Sequence, residues 1–260
     1  MNIFGLDIPT YLLLIIVAVV SAWITLMLLA KKKKCLNTVD VSLTYLMALC
    51  GGIIGAVILR PIMRIITVVI EWEYFREVPA GVLLNYITGE IVFYGGLLGG
   101  MLAVFIFCRT FKISIASVFD LFVPALALAH AIGRVGCYFA GCCYGIEVAS
   151  NHPFSTVYPT NSLIAPPNIP LLNIPLIEAT FLITLSSVLA YIYLKSKKIG
   201  LSASIYLLAY PTSRFIMEFY RGDIIRGRYG LMTTSQYISV IVFIFGLTYL
   251  WRMHRKTKII

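Results

Sequence analysis

Charge is scarce in this 260-residue chain: 12% of positions are Asp, Glu, Lys or Arg, while hydrophobic residues make up 60%. Soluble domains run nearer a quarter charged and half apolar. That balance excludes a soluble protein and leaves no room for a soluble second domain. No CxxC pair is present among the six cysteines and no histidine follows at finger spacing, which argues against zinc and predicts no metal site. Cys35, Cys50 and Cys108 fall at or inside apolar runs, where a lone thiol packs as a small residue. The chain also lacks a phosphate-binding glycine loop and a dinucleotide fingerprint, so no cofactor is expected. It shows no clear internal repeat and no long low-complexity tract. The segment before the first apolar run carries Asp7 and no basic residue, unlike a signal peptide.

What is present is a succession of apolar runs, each near the roughly 20 residues that a membrane helix needs. They cover about 11–30, 41–59, 90–107, 115–140, 174–194, 201–220 and 233–251. The reading is therefore an all-α, polytopic integral membrane protein with about seven transmembrane helices, forming one membrane-embedded domain over 1–260. Lys31 to Lys34, then Arg109 and Lys112, then Lys195, Lys197 and Lys198, and finally the tail from Arg252 fall on one side. The positive-inside rule makes that side cytoplasmic and puts the N-terminus outside and the C-terminus inside. Residues 60–89, which mix aromatics with Glu71, Glu73, Arg76 and Glu77, read as an external arm or interfacial helix. Residues 141–173, rich in proline, read as an external loop.

The net charge of +10 invites a nucleic-acid partner, but the placement of the basic residues argues against one. They serve mainly as a topology signal, with attraction to anionic lipid as a secondary effect.

One stretch contradicts its surroundings. His130-Ala-Ile-Gly-Arg134-Val-Gly-Cys137-Tyr-Phe-Ala-Gly-Cys142-Cys143-Tyr-Gly145 closes the fourth run with an arginine, glycines and three cysteines. An arginine within a span costs about 2.5–3.5 kcal/mol on insertion scales, and is kept where it has a partner or ligand. A second polar group lies on the sixth run, where Tyr210, Arg214, Glu218 and Arg221 follow at i, i+4, i+8 and i+11, one face of a helix. Glu218 between two arginines can pair internally, as a structural stripe would. Three arginines, counting Arg134, still exceed it. An excess of guanidinium at a membrane interface suits a phosphate, which arginine binds as a planar fork.

The remaining intramembrane acids are Asp120, a capping candidate, Glu90, an interfacial one, and Glu178. Glu178 could pair with Arg134 or Arg214, or act as a base. In Phe93-Tyr94-Gly95-Gly96-Leu-Leu-Gly99-Gly100, glycines at i and i+4 are explained by close helix packing. The Tyr94 hydroxyl could still face a pocket. His130 has the more ordinary reading of a hydrogen-bonded core histidine.

These motifs together resemble the prolipoprotein diacylglyceryl transferase family. Gly133-Arg134-Val-Gly136-Cys-Tyr-Phe-Ala-Gly-Cys-Cys-Tyr-Gly145 is similar to its signature G-R-x-G-N-F-x-N-x-E-x-x-G. Phe93-Tyr94-Gly95-Gly96 resembles its F-H-G-G motif, and Tyr210 to Arg221 its Y-x-x-x-R-F-x-x-E-F-x-R pattern. Asp120-Leu-Phe-Val-Pro124 and Pro175-Leu-Ile-Glu178 resemble weaker segments.

The resemblance implies a transferase of the bacterial plasma membrane. It would move the diacylglyceryl group of phosphatidylglycerol, or a similar anionic phospholipid, to the lipobox cysteine of a prolipoprotein and release glycerol phosphate. It implies catalytic roles for Arg134, Arg214, Glu218, Tyr94 and Glu178. A substrate-binding set of Arg134, Gly95, Gly96, Tyr210, Arg221 and Cys137 would surround them. The departures are Tyr94 in place of the motif histidine, and Cys137, Ala140 and Cys142 in place of two asparagines and a glutamate. They point either to a base supplied by Glu178 or Glu218, or to transfer onto a non-lipoprotein acceptor. Outside catalysis, the alternative is a lipid-binding or transport protein on the same scaffold.

Overall fold

The computed structural model describes residues 2–3, 6–7, 10–88, 93–160, 162, 164–222, 228–230 and 232–257. The chain begins with strands β1 (Asn2–Ile3) and β2 (Leu6–Asp7), followed by helices α1 (Thr10–Lys33) and α2 (Thr38–Ile70). Short helices α3 (Trp72–Phe75) and α4 (Ala80–Thr88) precede α5 (Phe93–Thr110) and α6 (Ile115–Phe139). Strands β3 (Ser155–Val157) and β4 (Pro170–Leu172) form an antiparallel pair within the loop that leads to α7 (Ile174–Lys195). Then come α8 (Leu201–Met217), a 3-10 turn over Glu218–Tyr220, the hairpin β5 (Arg228–Tyr229) and β6 (Met232–Thr233), and α9 (Thr234–Thr257).

The protein is mostly helical. Among the described residues, α1, α2, α6, α7 and Thr234–Met253 of α9 are long and apolar enough to cross a membrane, and Gly95–Thr110 is a shorter apolar helix. Large apolar side chains on these helices point outward, among them Ile16, Val20 and Leu28 on α1 and Ile241 and Phe245 on α9. Helices apolar on the outside and satisfied internally are what a lipid environment demands.

The chain forms two compact units, Leu36–Ile115 and the combination of Met1–Cys35 with Ala116–Ile260. In the first, α2 and α5 pack antiparallel through a seam of small residues. A Cβ added at Gly55 would lie 2.2 Å from the Gly95 carbonyl oxygen, and one at Gly99 would lie 2.8 Å from the Gly55 Cα. Backbones approach this closely only where neither helix carries a side chain, the small-residue packing of membrane helices.

One sequence expectation changes here. The second run continues as helix through Arg60 and Pro61 to Ile70, where the sequence places the start of an arm. At 33 residues, α2 is about 50 Å long, and its last turns exceed a hydrocarbon core of about 30 Å. Arg60 is tolerated inside it because Nη2 donates to the Tyr86 carbonyl at 3.0 Å, while Arg64 donates to the Tyr86 hydroxyl at 2.6 Å. Gly95 has the packing role its spacing predicts, since its missing Cβ lies against Gly55. Glu90 lies outside the described residues.

In the second unit, Val123, Ala127 and Ala131 of α6 pack on Leu182, Leu185 and Leu189 of α7 and on Ala203 of α8. Small residues on α6 facing leucines on α7 bring the two backbones together. Ser186 closes the contact by donating to the Pro124 carbonyl at 2.8 Å. Asp120 caps a helix, as expected, but a neighbouring one. Its carboxylate accepts from the Gly200 and Ala203 backbone N–H groups at the start of α8. At the C-terminal end of α7, Lys33 donates to the carbonyls of Tyr193 and Ser196. These contacts fix how α6, α7 and α8 face one another.

Replacing Gly99 with alanine should lower the unfolding free energy by about 1–3 kcal/mol, the usual cost of overpacking. Thermal unfolding of the detergent-solubilised protein measures it, and an unchanged midpoint would contradict the seam.

Candidate active site

The α6–α7–α8 contact carries charge at one end. Asn173 caps α7, its side-chain oxygen accepting from the Leu176 N–H at 3.1 Å and its amide donating to Thr156 at 2.7 Å. That cap fixes the first turn of α7 and so the height of Glu178, which is 1% exposed. Glu178 Oε2 lies 3.1 Å from Arg134 Nε of α6 and 3.6 Å from Arg214 Nη1 of α8. Arg214 Nη2 reaches Glu218 at 2.9 Å and donates to the Ser235 hydroxyl at 3.3 Å. His130, one turn before Arg134, places Nε2 3.9 Å from Glu178 Oε1 and sets its ring edge-on to Tyr210, with centroids 5.1 Å apart. Tyr210 lies within electrostatic reach of both Arg134 and Glu178.

The sequence leaves Glu178 to pair with Arg134 or Arg214, or to act as a base. It meets both. Both Glu178 oxygens, Arg134 Nε and Arg214 Nη1 are buried without a hydrogen-bond partner among the described residues, so what joins them is ion pairing at 3.1 and 3.6 Å.

Arg221 reaches the cluster by a different route from the one its spacing predicts. The helix ends at Met217, and Arg221 is extended, with φ −82° and ψ 137°. It is placed by backbone pairing with the end of the signature loop. Ile146 N–H donates to the Tyr220 carbonyl at 2.9 Å, and Gly222 N–H to the Tyr144 carbonyl at 3.1 Å. Gly145 N–H in turn donates to the Leu172 carbonyl at 2.9 Å, next to the α7 cap. Three loop segments thus interlock above the helix ends, and Arg221 lies within electrostatic reach of Arg214.

The signature stretch itself ends α6 with a Schellman cap. Cys142 N–H donates to the Cys137 carbonyl and Gly141 N–H to the Tyr138 carbonyl, both at 3.1 Å, around Gly141 at φ +63°. In this motif the residue past the glycine turns back over the last helical turn. Cys142 therefore lies beside Cys137. Cys143, itself at φ +62°, brings a third thiol to them. Hydrogen bonds from Cys137 and Cys142, with Arg221 and Arg134 nearby, hold the Cys143 thiol below its ordinary pKa.

Arg134, Arg214, Glu178, Glu218, Tyr210 and Cys137 are thus assembled by one unit. Gly95 and Gly96 belong to the other, where Gly96 faces Gly52 and Ala56. Tyr94 opens α5, and its side chain lies outside the described residues. Ser235 escaped sequence reasoning. Its signal was the Thr233-Thr-Ser-Gln236 capping box, in which Gln236 N–H donates to Thr233 Oγ1 at 3.3 Å and Thr233 N–H to Gln236 Oε1 at 3.0 Å. That box fixes the start of α9 and with it Ser235.

The helices and this buried ionic cluster define a polytopic membrane protein with a charged site inside its helical layer. The family model described as prolipoprotein diacylglyceryl transferase matches residues 1–252. The chain belongs to that family. It is 32% identical over 247 residues to phosphatidylglycerol–prolipoprotein diacylglyceryl transferase 2 of Clostridium perfringens, covering 95% of this chain and 91% of the relative. A Clostridium tetani relative of that name is 32% identical over 246 residues, covering 95% of this chain and 93% of its own. One from Gloeobacter violaceus is 28% identical over 259 residues, covering 97% and 91%.

Removing Glu178 while keeping both arginines should expose the cost of the cluster. Glu178→Ala is expected to destabilise by about 3–5 kcal/mol, because two buried guanidiniums lose their shared partner. Ser235→Ala should cost only about 1 kcal/mol, a single hydrogen bond. Thermal unfolding of the two variants compares them, and equal effects would contradict a bridging role for Glu178.

Proposed function

We propose that the protein is a phosphatidylglycerol–prolipoprotein diacylglyceryl transferase of the bacterial plasma membrane. The supporting fold is one domain of seven spans, with its N-terminus outside and its C-terminus cytoplasmic. In the reaction, the lipobox cysteine sulfur forms a thioether to the glyceryl carbon, and the carbon–oxygen bond to phosphate breaks. The electron pair leaves with glycerol phosphate, and the thiol proton goes to a base.

The observation that carries this reading is the excess of positive charge in a buried site. Arg134, Arg214 and Arg221 stand against Glu178 and Glu218, and Arg214 Nη1 has a donor to spare. The phosphodiester enters with a single negative charge and departs as a monoester with a second. A preorganised guanidinium cluster stabilises that second charge as it develops, and the effect is strongest where water is excluded. Arg134 and Arg214 hold phosphate, Glu218 and Arg221 orient them, and Tyr210 lines the pocket. Glu178 is placed to act as the base: Oε2 faces both arginines at 3.1 and 3.6 Å, and Oε1, buried without a hydrogen-bond partner among the described residues, lies 3.9 Å from His130 Nε2. A thiol with a pKa of about 8.5 is mostly protonated near neutral pH and gains from such a partner. Cys137 completes the proposed substrate contacts of this unit, and Tyr94, Gly95 and Gly96 are proposed substrate residues of the other.

Release of glycerol phosphate from phosphatidylglycerol in the presence of a lipobox peptide measures the activity. Arg214→Lys keeps the charge but loses the planar fork, and should lower kcat/KM by about 10–100-fold, the order of a lost charged hydrogen bond. Full activity would remove Arg214 from the phosphate site. Glu178→Gln should reduce kcat by about 10²–10⁴-fold, the usual contribution of a general base. A variant with unchanged kcat would assign the proton elsewhere.

A further inference from the structure

From the cluster at the end of α6 we infer that Cys137, Cys142 and Cys143 form a binding site for a thiophilic d10 cation, Zn2+ or Cu+. The site shares Cys137, Arg134 and Arg221 with the transferase reading but does not depend on that activity.

The three sulfurs lie within 4.8 Å of one another. A metal with bonds of about 2.3 Å to three thiolates holds its sulfurs about 4 Å apart, so the observed triangle needs to close by less than about 1 Å. The helix cap accounts for the first pair, since the residue past a Schellman glycine packs on the last turn of its helix. It does not account for Cys143, a non-glycine residue held in the left-handed region that side chains seldom adopt. That conformation turns its thiol onto the other two. Thiolate ligands select Zn2+ and Cu+ over harder ions.

Two features of the surroundings favour occupancy. Three thiolates on a Zn2+ ion leave one net negative charge, and on Cu+ they leave two. Arg134 and Arg221 lie within electrostatic reach of Cys143 and offset that charge. Tyr158, 3% exposed, carries a buried hydroxyl with no hydrogen-bond partner among the described residues. The three thiols are among the groups that act on it electrostatically. It is a polar atom in need of a partner, beside a site where a zinc ion with three thiolates would have a fourth position open. The spacing Cys-x4-Cys-Cys conceals the site in sequence, because a helix cap brings its members together instead of a CxxC turn.

The test uses the full chain purified in detergent, reduced and stripped with a chelator. It is equilibrated with Zn2+, with Cu+ under reductant, or with Cd2+ as a spectroscopic probe, then desalted and analysed for bound metal. Wild-type protein is expected to retain a single ion per chain and to show the ultraviolet charge-transfer band of a cadmium thiolate. Cys142→Ser should lose at least tenfold in affinity, while Cys50→Ser, on α2, keeps it. Competition between the two physiological ions identifies which is preferred.

Folding of the variants does not limit the test, since alkylation of wild-type protein is read by peptide mass spectrometry. Bound metal should slow labelling of Cys137, Cys142 and Cys143 together and leave Cys50 unchanged. No retained metal, equal affinity in Cys142→Ser, or unprotected thiols would overturn the site. None of these results depends on transferase activity, so its absence would leave the inference standing.

Discussion

Glu178 carries the ionic structure of the α6–α7–α8 layer. One carboxylate, 1% exposed, holds guanidiniums from the two neighbouring helices. Each arginine alone would be costly to keep away from water. Each becomes tolerable because the acid they share is as buried as they are. The rest of the unit sets this geometry: the Asn173 cap fixes the start of α7, Asp120 fixes the start of α8, and small residues on α6 bring Arg134 close. A cluster held from so many sides cannot relax around a lost partner, and the proposed phosphate site draws its preorganisation from the same constraint.

The same balance separates structure from function within one set of residues. If two acids matched two arginines, the cluster would be a neutral scaffold. Arg221, brought in by loop pairing after the helix has ended, supplies the imbalance. Its placement depends on the backbone bonds among Tyr144 to Ile146, Leu172 and Tyr220 to Gly222. The signature loop therefore positions Arg221, a residue far from it in sequence, at the proposed anion site. Membership of the prolipoprotein diacylglyceryl transferase family agrees with a site of this kind.

Much of this was legible in the sequence for identifiable reasons. The apolar runs gave helix positions, with α7 expected at 174–194 and found at Ile174–Lys195, because lipid-facing composition leaves little else for such a run to do. Arg134, Arg214 and Glu218 stood out since charge is rare there. Less legible was anything set by a partner in space. The helix through Pro61 continues because Arg60 and Arg64 bind Tyr86, 22 or more residues away. The sequence shows that Gly95 suits close packing, but the partner, Gly55 on α2, is visible only in space. The spacing of Cys137, Cys142 and Cys143 hides their proximity, because a helix cap and not a tight turn brings them together. Arg221 fitted a helical face that ends one turn too early.

The most direct test is to express the protein in a bacterium depleted of its own diacylglyceryl transferase and to weigh a reporter lipoprotein by mass spectrometry. The account predicts a diacylglyceryl mass gain on the lipobox cysteine with the wild-type chain, and none with Arg134→Gln inserted at the same level. An unmodified reporter beside correctly inserted wild-type protein would contradict it, as would full modification by the Arg134→Gln variant.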